Sequence, residues 1–294
     1  MMKRSVVLSF LVLLSILGTE FLGSLAAVAS TDMGVADADH AFLQAVAKSD
    51  RAAVSKFLDG MLEWTDSQGR TRSKKELLED WSALRGEGPV NIDVKTFDYG
   101  KIGFVSVGKD EVRFLRVWVK RPAGWRLFNS IETAMKGSAP LPSGGGDCYN
   151  PCKAIPFKAA TDMDAQILDA WQKAKNDEWH PNSADWALRV TEEFVIISEH
   201  ALRAKEERVA LLAKQQQKQE SGPPGDPVQS IRMFDFGNDA AVMLSLHHPY
   251  RGGKPYYNVR VWVLRSGRWQ IAVSQQTVIE SAAPVSAANS NANS

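Results

Sequence analysis

Two hydrophobic periods alternate along this 294-residue chain. Apolar residues recur at helical spacing through Ala38, Ala41, Phe42, Ala45 and Val46, and a shorter segment of the same kind runs from Ala52 to Leu58. Met61 to Thr65 then reads as a strand and Asp66-Ser67-Gln68-Gly69 as a turn. Ser73, with Glu76 three positions on, reads as a capping box ahead of Leu77, Leu78 and Trp81. Beyond Gly86 to Pro89 the period shortens to two, which predicts strands near 90–97, 102–107, 112–121 and 125–133. Helices come first, then a long antiparallel meander. The pattern then restarts: Ile167, Leu168 and Trp171 share a helical face, Phe194 to Ile197 reads as a strand, and a third helix covers about Ala204 to Lys214. The Gln-, Gly- and Pro-rich stretch from Gln215 to Pro227 is expected to be a solvated loop.

The restart is an internal repeat. Phe114-Leu115-Arg116-Val117-Trp118-Val119-Lys120-Arg121, followed by Trp125 and Thr133, is matched by Asn258-Val259-Arg260-Val261-Trp262-Val263-Leu264-Arg265, followed by Trp269 and Thr277. Phe97-Asp98-Tyr99-Gly100 is answered by Phe234-Asp235-Phe236-Gly237. Two domains are therefore expected, at 36–135 and 163–280. A Gly-, Pro- and Cys-bearing linker, 136–162, joins them, and a disordered Ala/Ser/Asn tail, 281–294, follows.

Charge narrows the function classes. Lys plus Arg number 35 against 34 Asp plus Glu, so no basic excess steers the chain toward nucleic acid. Lys3 and Arg4 precede an apolar stretch that Glu20 interrupts, and Ala27-Val28-Ala29 follows. This reads as a signal peptide cleaved after Ala29, so the expected location is secreted or periplasmic, with no membrane span after cleavage. In an oxidising compartment Cys148 and Cys152 are expected to pair and pin a linker turn. The alternative, metal capture by two thiols, lacks the ligands of a tetrahedral site. His247 and His248, adjacent in a strand, point to opposite faces and are expected to be a surface pair. Asp185, Glu192 and Glu193 read as a solvated helix end and turn, and no motif points to a metal, nucleotide or other cofactor.

A helical start, then a meander ending in Arg-Val-Trp, Gly, Trp and Thr, resembles the nuclear transport factor 2-like superfamily. The segment Arg260-Val261-Trp262 with Gly267, Trp269, Gln270 and Ile271 is most similar to its SnoaL-like and calmodulin-kinase association-type members. The resemblance implies an α+β fold of two cones, each a curved sheet around helices with a pocket inside. It also implies dimerisation through sheets, hence an intramolecular pseudo-dimer. Strand parity puts Trp125, Leu127, Asn129, Ile131 and Thr133 on one face, and Trp269, Ile271, Val273, Gln275 and Thr277 on its counterpart. These mostly apolar faces are expected to line the pockets.

Parity in the preceding strands turns Leu115, Val117 and Val119 inward and sends Arg116, Trp118 and Lys120 outward, with Arg260 and Trp262 likewise. Arg116, Trp118, Arg260 and Trp262 are therefore expected at the contact between sheets. Asn129, Gln275 and Tyr99 are the expected ligand-binding residues, with Glu63 a further polar group in the first copy. Glu132 falls on the outward face. The late-strand pocket histidine of the association-type relatives is replaced by Ile131 and Gln275. The expected function is binding of a small molecule or partner. An isomerase, dehydratase or cyclase acting in one pocket is the alternative, and a purely structural assembly role is the third.

Overall fold

The computed structural model describes residues 33–84, 94–109, 111–137, 147–249 and 253–282. The expected leader, 1–29, most of the tail and the middle of the linker lie outside the described residues. The first half runs α1 (Val35–Ala47), α2 (Arg51–Phe57), β1 (Leu58–Thr65), β2 (Thr71–Ser73), α3 (Lys74–Glu79), a short 3-10 turn (Trp81–Leu84), β3 (Val94–Asp98), β4 (Ile102–Lys109), β5 (Val112–Arg121) and β6 (Gly124–Ala134). The second repeats it as α4 (Asp162–Trp179), α5 (Ser183–Ala187), β7 (Val190–Ser198), β8 (Ala201–Ala204), α6 (Lys205–Gln217), β9 (Val228–Asp235), β10 (Ala240–His247), β11 (Tyr256–Arg265) and β12 (Arg268–Val278). The sheets have the same order, β2-β1-β6-β5-β4-β3 and β8-β7-β12-β11-β10-β9. In each, the meander is antiparallel and the first strand joins the last in parallel.

Local chemistry sets these boundaries. Asp50 caps α2 by accepting from the Ala53 N–H, and Ser73 with Glu76 closes a capping box on α3. Thr161 and Asp164 do the same for α4. The hairpins β5–β6 and β11–β12 turn through Gly124 and Gly267, whose φ values of +99° and +73° favour a residue without a Cβ.

Each sheet is buried on both faces. One face wraps its own helices. Around α1 lie Leu62, Trp64, Trp118, Trp125 and Leu127, and around α4 lie Trp262, Trp269 and Ile271. The other face meets the opposite sheet. Leu115, Val117, Val119, Phe128 and Ile131 pack there with Val259, Val261, Val263, Ala272 and Val273 in one apolar seam. The seam has a two-fold signature. Thr133 and Thr277, equivalent positions in the repeat, place their Oγ1 atoms 2.9 Å apart. Thr133 Oγ1 donates to the Gln276 carbonyl, while Thr277 Oγ1 donates to the Glu132 carbonyl. Reciprocal contacts between equivalent residues are what an isologous interface requires.

The sequence expectation for the faces of β5 and β11 is reversed in the structure. Arg116 and Trp118 are buried inside the first cone, and Arg260 and Trp262 inside the second, rather than at the seam. The cause on the neighbouring strands is a β-bulge. Val117 faces Asn129 and Trp118 faces Leu127, which leaves Phe128 as an extra residue, and Ala272 is its counterpart in β12. Across the bulge the pointing direction switches. Trp125 and Leu127 face the cone, whereas Ile131 and Thr133 face the seam.

Two connecting segments are more built than their composition suggests. Cys148 and Cys152 form a disulfide and are both buried. Around it, Asn150 exchanges two hydrogen bonds with the Val228 backbone, and the Cys152 carbonyl accepts from Asn176 of α4. The expected solvated loop is also corrected: α6 continues to Gln217, and the residues after it fold back on α4. The Gly222 N–H donates to the Trp179 carbonyl, and a Cβ there would fall 2.0 Å from the Glu178 carbonyl oxygen. This close approach brings Asp226 over the mouth of the second cone.

Candidate functional site in the second cone

The repeat carries one Arg-x-Trp motif per cone, and the two cones treat it differently. In the first, Asp39 of α1 accepts Arg116 Nε at 2.6 Å and Nη2 at 2.7 Å, and also the Trp118 indole at 3.1 Å. The cation, the anion and the indole N–H satisfy one another. In the second, the buried positions Ile167, Leu168, Trp171 and Ala174 of α4 follow the same spacing as Ala38, Asp39, Phe42 and Ala45 of α1. Leu168 therefore stands where Asp39 stands. The counter-carboxylate has become an aliphatic side chain.

The consequences are visible around Arg260. It is 5% exposed, and its only hydrogen bond among the described residues runs from Nη1 to Ser245 Oγ at 3.0 Å. Its guanidinium lies 4.8 Å from the Trp171 ring centroid, a cation–π contact. Among the described residues, no carboxylate oxygen lies within 4.0 Å of it. The Trp262 and Trp171 indole N–H groups are buried without hydrogen-bond partners among the described residues. Burial pushes the Arg260 guanidinium down to about 10, against the opposing influence of Tyr256 and Glu178. A cavity of about 60 Å³ adjoins it, lined among others by Trp171, His247, Tyr256, Asn258, Arg260 and Gln276.

The other titratable groups at this cavity are already engaged. Glu178 accepts from Lys175 at 2.8 Å and from the Trp186 indole at 3.2 Å, with Arg208 at 3.5 Å. Burial raises its carboxyl, but the Lys175 and Arg208 cations outweigh that and hold it at about 2. Tyr256 Oη donates to Asp226 Oδ2 at 3.0 Å, and burial followed by Asp226 drives the phenol far above its ordinary range. His247, expected at the surface, is 2% exposed and stacks on Tyr256 with ring centroids 4.8 Å apart. Its Nδ1 donates to the Asp226 carbonyl at 3.2 Å, which leaves Nε2 to accept from Ser245 Oγ at 2.9 Å. Burial, then Arg260, keep it neutral, well below the ordinary 6.5.

One pH dependence follows from Glu178. Because its folded pKa is depressed below the ordinary 4.5, its contribution is complete above about pH 4.5 and is lost as pH falls toward 2. Glu178→Gln should remove up to about 3 kcal/mol from the acid dependence of stability in that window. Denaturant midpoints of the two proteins measured from pH 6 to 2 should converge on acidification. Parallel curves would show that Glu178 is not coupled to folding.

The residues expected to bind ligand are placed apart from one another. Gln275 lies in the seam, where its Nε2 donates to the Arg113 and Ile131 carbonyls and to Thr133 Oγ1. Tyr99 also spans the domains. Its Oη donates to Glu193 at 2.6 Å and Arg265 lies 5.0 Å from its ring, so Glu193 is an interdomain acceptor rather than part of a solvated turn. Asn129 and Glu63 line a separate seam cavity. Glu132 accepts from the Trp64 indole. Among the described residues no cluster of three or more His, Cys, Asp or Glu is arranged to hold a metal, and no helix is long and apolar enough to cross a membrane.

Each half of the chain runs helices first and then a six-stranded curved sheet of the same strand order, so the chain is a tandem of two α+β cones. No protein-family model and no curated protein matches it. Solved structures similar to part of it include a cystatin-like fold protein from Burkholderia xenovorans, at 16% identity over 41% of this chain and 94% of that one, TM-score 0.34. An NTF2-like protein from Cytophaga hutchinsonii is similar at 15% identity over 40% and 99%, TM-score 0.30. A cystatin-like fold protein of unknown function from Nostoc punctiforme is similar at 14% over 42% and 98%, TM-score 0.32. Identities this low concern the fold alone.

Proposed function

We propose that this is an exported, covalently joined pseudo-dimer whose second cone binds a small anion, with a carboxylate as the natural fit. Arg260 carries the reading. A buried guanidinium with one neutral partner is costly, and its sister in the first cone is neutralised by a bidentate carboxylate. A bound carboxylate takes the place of Asp39, accepting from the Arg260 nitrogens that lack a protein partner. The cavity of about 60 Å³ has room for roughly four waters, or for an acid of about two or three carbons.

Proton-transfer chemistry on such a ligand is the second reading, favoured by a neutral histidine beside the cationic anchor. Both His247 ring nitrogens are already hydrogen-bonded, one to a carbonyl and one to Ser245, so neither is poised to take a proton. Binding is therefore the better-supported role. Formate, acetate and propionate at ten times their dissociation constants should raise the melting temperature by about 3–6 °C, and acetamide should not. Arg260→Gln should abolish the shift. Equal shifts with acetamide, or in Arg260→Gln, would remove the anion site.

A further inference from the structure

The geometry points to a second ligand site, in the seam between the cones, that takes a small uncharged molecule bearing hydroxyl groups. A cavity of about 250 Å³ opens there between β1, β2 and β6 of the first sheet and β9, β10 and β11 of the second. Asn129 lines it from the first sheet. This side chain is 2% exposed and makes no hydrogen bond among the described residues, and its Oδ1 is buried without a partner among them. An amide so placed costs stability unless something in the cavity bonds to it.

The pseudo-two-fold makes the feature selective. The seam positions equivalent to Asn129 and Glu63, read from the strand registers, are Val273 and Val195. Both valines sit in the apolar seam. The fold thus accepts an apolar residue at each of these positions, and only the first copy places polar groups there, at the cavity. Packing does not explain the amide.

The lining sets the ligand class. Glu63 and Arg232, one from each domain, form an ion pair at the cavity and cancel each other's charge. The remaining polar residues are neutral: Thr65 and Thr71, whose hydroxyls lie 3.0 Å apart, with Ser230, Ser245, Tyr257 and Asn258. Leu244 and Val259 supply an apolar wall. An amide that can both donate and accept, several hydroxyls, no uncancelled charge and an aliphatic wall together suit the alternating O–H and C–H surface of a polyol or monosaccharide. Arg260 itself does not line this cavity, although its partner Ser245 does, and Asn258 borders both cavities.

Saturation-transfer NMR on the full chain with glycerol, myo-inositol and glucose tests the inference. At least one of these should give a saturable signal. Asn129→Leu should weaken it by about tenfold or more, with a melting curve like that of the parent protein. Ser230→Phe, which fills the cavity from an exposed position on edge strand β9, should abolish it, whereas Arg260→Gln should leave it unchanged. No signal from any of the three polyols, or a signal that survives both Asn129→Leu and Ser230→Phe, would overturn the seam site. Loss of the signal in Arg260→Gln would place the polyol in the second cone instead and overturn it equally.

Discussion

Asp39→Leu, which installs in the first cone the residue the second already carries at that helical position, is expected to cost about 3–5 kcal/mol. The reason is the charge left behind. Arg116 is 2% exposed, and Asp39 supplies both of its charge-assisted hydrogen bonds together with the acceptor for Trp118. Removing one member of a buried pair leaves an uncompensated ion in low dielectric, whereas removing both is often close to neutral. The double variant Asp39→Leu/Arg116→Met should therefore recover most of the loss. Arg260→Met, which removes a buried cation that has no carboxylate, should cost no stability and should raise it by up to about 3 kcal/mol. Denaturant midpoints decide the matter. If Asp39→Leu is as mild as Arg260→Met, the two cones do not differ in the way argued above.

Separating the cones should have a still larger effect. Each sheet presents to its partner a face made of Leu115, Val117, Phe128 and Ile131 on one side and Val259, Val261, Ala272 and Val273 on the other. Expressed alone, residues up to 137 or from 147 onward would expose that face across the width of a sheet, well beyond the apolar patches that monomers tolerate. Each half should dimerise or aggregate by itself, and the two should recombine one to one when refolded together. Sedimentation of the separate halves checks this. Two soluble, stable monomers would mean that the seam contributes little to either fold.

Much of this architecture was legible in the residues. The repeated Arg-Val-Trp segment, the Ser73–Glu76 capping box and the switch from helical to strand period are local signals, and local rules govern them. The faces of the strands were not legible, for two physical reasons. The β5 strand is buried on both sides, so its apolar alternation carries no inside and outside, and a Trp or Arg can face the helices as readily as Leu or Val can face the other sheet. The bulges at Phe128 and Ala272 then reverse the direction of every later residue in β6 and β12, which carried Asn129 and Gln275 to the seam.

The burial of His247 did leave a trace. Ala240 to Leu246 is apolar save for Ser245, the mark of a strand covered on both faces, and His247 closes the same strand. Glycine composition misled in the opposite direction. Gly222 is where the chain after α6 presses against α4, not where it floats in solvent.

The anion site itself required both copies to be set side by side. Neither Arg260 nor Leu168 is remarkable alone; the signal is that Leu168 replaces Asp39 while Arg260 keeps the place of Arg116. The direct measurement is therefore an internal comparison within one molecule. Side-chain Nε–H resonances of Arg116 and Arg260, assigned with Arg116→Lys and Arg260→Lys, should be followed by NMR during a formate titration. The Arg260 resonance should shift saturably, while Arg116, already held by Asp39, should stay unmoved. A titration that leaves Arg260 in place, or moves both arginines alike, would contradict the anion site.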